Sequence, residues 1–131
     1  MADERTVPGR KARREGIKKI VQRLNFCVDS KPPLNFEAAE ICYQIWLKAT
    51  FVSYPTFIQM LGWSPSRLSK LTSVGRNRTL MSHQNAAPNA SSTLYQLSLC
   101  SEAALDRLFH EGRITQRTTE PQARALRKNA S

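Results

Sequence analysis

YPTFIQMLGWSPSRLSKLTSV, residues Tyr54–Val74, is the stretch from which the rest of the chain can be read. It has the form of a short helix, a tight turn at Gly62 and a second short helix opening at Ser64-Pro65. Phe57, Ile58 and Leu61 fall on one face of the first helix, and Leu68 and Leu71 on the inward face of the second. Gly62 can take the positive φ that a short turn between helices requires. Ser64 is suited to cap the second helix, and Pro65 sits where its missing N–H costs nothing. The pattern predicts a helix-turn-helix over about residues 54–74 whose second helix, Pro65–Ser73, is the exposed one.

Working outward, Ser64, Ser66, Arg67, Ser69 and Lys70 line the face expected to meet solvent or a ligand. They offer two cations and several hydroxyls to phosphates and base edges, which makes them candidate DNA-binding residues. The plainer reading is a helical hairpin whose Arg67 and Lys70 are simply solvated. The charge of the whole chain favours the first. One residue departs from the pattern, because Ile58 stands where helix-turn-helix units usually carry Ala.

The chain has 131 residues and a net charge of +10, enough for one domain with a modest core. A sequence pI near 10.2 calls for an anionic partner, with nucleic acid ahead of an acidic protein or a membrane surface. Cys27, Cys42 and Cys100 are widely spaced and odd in number, with no Cys-x-x-Cys pair. Buried reduced thiols are expected rather than a zinc site or a disulfide framework. No apolar run approaches a membrane span, and the N-terminus lacks the apolar core of a signal peptide. A cytoplasmic, nucleoid-associated protein without membrane contact is the expectation.

Residues 1–24 hold eight Lys or Arg against three acids, half the net charge of the chain. Residues 1–14, with Pro8-Gly9 breaking regular structure, are expected to form a flexible basic arm. Its Arg10, Lys11, Arg13 and Arg14 could lie along phosphates, and a solubilising tail is the equal alternative. Residues 15–131 are expected to form a single helical domain. Ile17, Ile20, Val21 and Leu24 give the stripe of a first amphipathic helix. A Pro32-Pro33 loop follows. Asn35 is placed to cap an apolar helix to about Lys48 or Thr50, striped by Ala38, Ile41, Cys42 and Ile45 and widened by Tyr43, Trp46 and Leu47. Such a helix is either core or a dimer face, with core favoured. Phe51–Tyr54 could begin a strand, but no partner strand is evident.

Gly75 is placed to end the exposed helix, with Arg76 and Arg78 just beyond it as further candidate phosphate contacts. A polar loop through Ser92 follows, in which His83 reads as a surface histidine. Ser91-Ser92 is expected to cap a helix to about Leu99, and Ser101 another from Glu102 to Glu111 ending at Gly112. A last helix runs from Thr118 or Thr119 to about Lys128. The fold class expected is all-α, a small domain of five to six helices containing a helix-turn-helix.

FIQMLGWSPSRLSKL, followed by STLYQLSLCSEAALDRLFHEGRITQRTTEPQARAL, resembles the helix-turn-helix region of phage- and plasmid-borne regulatory proteins. The second piece is similar to the L-x-x-L-x-E-x-x-L-x-x-x-I-x-x-G-x-I-T run of ParB-like partition proteins and of a family of mobile-element proteins. Here that run is Leu97, Glu102, Leu105, Leu108, Gly112, Ile114 and Thr115, with Ala123–Leu126 as its tail. The resemblance covers roughly residues 55–127. It implies a sequence-specific DNA-binding regulator of a mobile element, a transcriptional repressor or partition accessory, with Arg67 and Lys70 on the reading helix. The arginine motif with which partition proteins bind nucleotide is absent, so a nucleotide-switched clamp is not implied.

An enzyme is not expected: there is no Gly-rich phosphate loop, metal-ligand cluster or nucleophile elbow, and no cofactor or metal is called for. The partners expected are double-stranded DNA and a second copy of the chain, since such readers usually pair to span two half-sites. The alternative is a small basic phage or plasmid inhibitor that binds a host protein or ribonucleoprotein, anchored by an aromatic residue such as Trp63, Tyr54 or Phe109. RNA binding through the basic arm is a third option, with no visible stacking platform to support it.

Overall fold

In the computed structural model, which describes residues 8–48 and 53–130, the chain is all-helical. Eight helices occur among the described residues: α1 Pro8–Asp29, α2 Asn35–Leu47, α3 Ser53–Leu61, α4 Pro65–Arg76, α5 Arg78–Ser82, α6 Ser91–Ser98, α7 Glu102–His110 and α8 Glu120–Ala130. The all-α class is as expected, but the helices outnumber the five to six anticipated.

α1 begins at Pro8, well before the expected boundary near residue 15. Pro8, the first described residue, already lies in the helix, which its fixed φ permits. Arg10, Lys11, Arg13 and Arg14 therefore lie on the first turns of α1, not on an arm, while residues 1–7 fall outside the described residues. Ile17, Leu24 and Cys27 are buried along the α1 stripe, with Ile20 and Val21 partly covered.

α2 opens at Asn35, which is the first helical residue and not the cap; Leu34 holds the cap position without a side-chain bond. Asn35 has another task. Its Nδ2 donates to the Asn89 carbonyl at 2.6 Å, and Asn89 Nδ2 donates to the Pro33 carbonyl at 2.8 Å. The pair ties the α1–α2 loop to the segment before α6. Only one side of α2 is core. Ala38, Ala39 and Cys42 are buried, whereas Trp46 and Leu47 are exposed at the C-terminal end. The helix ends at Leu47, short of Thr50. The suggested strand at Phe51–Tyr54 does not occur where the structure describes it: Ser53 and Tyr54 begin α3, and Phe51 and Val52 lie outside the described residues.

The α3–α4 junction follows the expected local chemistry. Gly62 takes φ 69°, and Ser64 Oγ accepts the Arg67 N–H at 3.2 Å with Pro65 behind it. Phe57, Leu61, Leu68 and Leu71 are buried, but Ile58 is exposed. The packing explains the difference. α3 rests mainly on α1, and α4 on α2 and α6, more than the two rest on each other. The face carrying Ile58 is thereby left open.

Gly75 does not end α4. The helix runs on through Arg76, and Gly75 lies buried against α2. A Cβ there would stand 2.2 Å from the Ala39 carbonyl oxygen and 2.7 Å from Tyr43 Cβ. Absence of a side chain sets the separation of the two helices. Asn77 then serves three ways. It terminates α4, its Oδ1 accepts the Leu80 N–H at 3.0 Å to start α5, and its Nδ2 donates to the Ser98 and Cys100 carbonyls at 3.2 and 3.3 Å. α5 is the helix hidden in the expected polar loop; it buries Leu80 and Met81, and Glu102 Oε1 accepts the Thr79 N–H at 2.9 Å.

His83 is not a plain surface histidine. Its ring stacks on Phe109 at 4.3 Å, and its Nδ1–H donates to the Thr79 carbonyl at 2.9 Å. Ser91 and Ser92 are the first helical residues of α6, and Ala90 holds the cap position without a side-chain bond. Ser101 and Gly112 bound α7 as expected. Thr119 and Gln122 cap α8 reciprocally, and Ala123 is buried where α8 meets α6.

Gly75→Ala should lower stability by about 3 kcal/mol, because the atoms it meets are backbone or next to it. Gly16→Ala in α1, with nothing within 4 Å of the new methyl, should raise stability by about 0.5–1 kcal/mol. Denaturant unfolding of both variants checks the pair. Equal small effects would mean that the α2–α4 contact does not depend on glycine.

Candidate functional site

α4 carries no acidic residue and divides along its length. Leu71, Thr72, Val74 and Gly75 are buried in its second half, whereas Pro65, Ser66, Arg67, Ser69 and Lys70 in its first are exposed. The first half is thus free to meet a partner while the second anchors it.

The cations of that half rest on aromatic rings. The Arg67 guanidinium lies over Trp63 at 4.6 Å, and the Lys70 ammonium over Tyr95 at 5.3 Å. Trp63 is itself held, its Nε1 donating to Asn25 Oδ1 of α1 at 3.0 Å. Rings beneath the cations narrow their rotamers without neutralising them. Arg67 and Lys70 look into a cleft of about 590 Å³ whose far wall is Asn89, Ala90, Ser91 and Ser92 at the start of α6. The first-turn N–H groups of α6 have no side-chain cap, and such groups favour an anion.

The other predicted residues do not join this cluster. Ser64 is occupied as the α4 cap, and Ser66 is exposed beside it. Ser69 faces the opposite flank, with Thr72 and Arg76. Arg76 lies over Trp46 at 4.3 Å. Arg78 is drawn back into the structure: it donates to the Gly75 carbonyl at 2.8 Å and to Glu40 at 2.9 Å, and covers Tyr43 at 4.6 Å. It clasps α2 to α4 and has little left for a phosphate. Arg14 is exposed on α1. Eleven residues of helix separate it from Asn25, roughly 16 Å along the axis. The side chains of Arg10, Lys11 and Arg13 lie outside the described residues.

The nearby carboxylates are already engaged. Hydrogen bonds from Arg23 hold the Glu37 carboxyl below the usual carboxylate range. Those from Gln44 and then Arg78 do the same for Glu40. Their charge is spent on α1 and on the clasp, which leaves Arg67 and Lys70 uncompensated by acids of α2 or α4. The thiols offer no nucleophile: burial pushes Cys42 up to about 12, and Cys27 and Cys100 also rise. Among the described residues no group of three His, Cys, Asp or Glu is placed to hold a metal.

Sequence reasoning missed Asn25, Asn77, Asn89 and the rings under the cations. A hint existed for Trp63 and Arg67, which are four residues apart. Nothing in the spacing links Tyr95 to Lys70 or Trp46 to Arg76, since only tertiary packing joins them. No protein-family model, curated protein or solved structure matches the chain.

Arg78→Ala should cost about 1 kcal/mol of stability, the worth of a charge-assisted bond to a carbonyl and a half-exposed ion pair. Arg67→Ala, which loses one exposed cation–ring contact, should cost about half as much. Thermal unfolding of the two variants makes the comparison. The reverse order would exchange their roles, making Arg67 the structural clasp.

Proposed function

We propose that the chain is a sequence-specific DNA-binding regulator of a mobile element that inserts the first half of α4 into a major groove. The observation that carries this reading is the exposed, acid-free face of Ser66, Arg67 and Lys70, whose two cations line one cleft with the uncapped start of α6. Two cations and backbone N–H groups across a cleft suit a phosphate of the duplex at the groove edge. Arg67, one turn into the helix and pre-positioned by Trp63, is the residue suited to pair with O6 and N7 of a guanine. Lys70, Ser91 and Ser92 flank it on the backbone side.

The basic first turns of α1 add a second, sequence-independent region. Arg10, Lys11, Arg13 and Arg14 share one helix with Asn25, which holds Trp63. A net charge of +10 supports a polyanionic partner, and the likeness of residues 55–127 to mobile-element regulators supports the regulatory role. Two copies binding together would offer two α4 helices to half-sites one turn apart, ~34–36 Å.

Fluorescence anisotropy against the DNA upstream of the protein's own gene and against a scrambled duplex, at two salt concentrations, tests the reading. Tighter binding to the upstream DNA at both salts is expected. Arg67→Ala should cost ~1–3 kcal/mol on the preferred sequence and much less on the scrambled one. Unchanged preference would remove α4 from the groove. Replacing Arg10, Lys11, Arg13 and Arg14 together by Gln should weaken both duplexes alike and reduce the salt slope by ~0.9 for each lost phosphate contact. An unaltered slope would take α1 out of the interface.

A further inference from the structure

The flank of α4 turned away from the Arg67–Lys70 cleft carries a second surface. Residues 67, 70 and 71 face the cleft, whereas 68, 69, 72 and 76 face the other way, as a period of 3.6 requires. On that side α2, α3 and α4 enclose a groove of about 320 Å³. Trp46, Tyr54, Ile58 and Trp63 supply its apolar walls, and Ser69 and Arg76 its polar edge. Trp46 and Ile58 remain 41% and 40% exposed, and Leu47, on the same end of α2, 52%. Trp46 and Ile58 thus leave the apolar walls of the groove open to a cover.

We propose that this groove docks an acidic amphipathic segment of a partner protein, with Leu or Phe side chains seated between Trp46, Tyr54 and Ile58 and carboxylates facing Arg76. Charge complementarity selects this occupant. Among the described residues no carboxylate lines the groove, and the Arg76 guanidinium stands at its edge over Trp46. The nearby acids of α2 are taken up by Arg23 and Arg78. A second copy, itself carrying a net charge of +10 and the same Arg76 at this face, is repelled here. The phosphate backbone of a duplex would satisfy Arg76 but leave Ile58 uncovered. An amphipathic acidic helix matches both features. The proposal does not depend on the DNA reading, which uses the opposite flank of α4.

The probe is a synthetic, tryptophan-free helical peptide of about four turns, with Leu and Phe on one face and Glu on the other. It is compared with a scramble of the same composition, with a version carrying Lys for Glu, and with an oligo-dT strand, by calorimetry and by the fluorescence of the two tryptophans. The acidic amphipathic peptide is expected to bind at ~10 μM and shift the emission to the blue. Ile58→Glu should weaken it about tenfold or more, with duplex binding and thermal unfolding unaltered. Because Ile58 and Arg76 are both exposed, the fold should tolerate either change. Arg76→Glu gives an independent check, since it should move preference toward the Lys peptide. Equal binding of the scramble or of the Lys peptide by the unmodified protein would overturn the proposal. So would oligo-dT taking the groove in place of the peptide, or self-association in sedimentation that Ile58→Glu abolishes.

Discussion

With only hydrogen at Gly75, α4 can lie directly against the backbone of α2 at Ala39, and most of the architecture follows from that approach. Ala38 and Ala39 keep the facing side of α2 equally small. The close contact buries the second half of α4 and, because a helix is rigid over three turns, fixes where its first half points. Leu68 and Leu71 extend the buried stripe just far enough to seat the helix without covering Arg67 and Lys70. Arg78 then closes the contact from outside, bonding the Gly75 carbonyl and Glu40 together. A single missing side chain thus positions Arg67 and Lys70.

Asn77 is the second hinge of the arrangement. A buried amide without partners costs ~1–3 kcal/mol, and Asn77 avoids this by ending one helix, beginning the next and bonding two carbonyls at the end of α6. The Ser73–Ser98 hydroxyl pair at 2.9 Å lies alongside. These bonds fix α6 against α4, so the uncapped start of α6 comes to face Arg67 and Lys70 across the cleft. The Asn35–Asn89 tie holds the approach to α6 from the other side.

Electrostatically the protein separates its charges by task. Glu37, Glu40 and Glu120 are each matched to one arginine: Arg23, Arg78 and Arg124. Other cations lie on rings: Arg67, Lys70 and Arg76 over Trp63, Tyr95 and Trp46. A ring orders a cation at a lower cost in available charge than a carboxylate would. Each flank of α4 therefore carries a cation, beside polar groups on one side and apolar ones on the other.

Local chemistry was legible in the sequence wherever a residue acts through its immediate neighbours. The turn at Gly62, the caps at Ser64 and Ser101, the end of α7 at Gly112 and the buried stripe of α1 all depend on side chains within about four positions, and all are where the spacing puts them. The all-α class follows from the same periodicity. Errors arose where one residue type serves two purposes. Pro8 lies within a helix where its type suggests a break, Gly75 makes room for Ala39 where its type suggests a terminus, and Asn35 bonds Asn89 where its type suggests a cap. The exposure of Ile58, the withdrawal of Arg78 and the pairing of Lys70 with Tyr95 depend on residues up to 38 positions apart. Short-range pattern determined the helices and the identity of the cations; only the α2–α4 contact and the polar ties to α6 decided which cations face outward, because long-range distances exist only once the helices have packed.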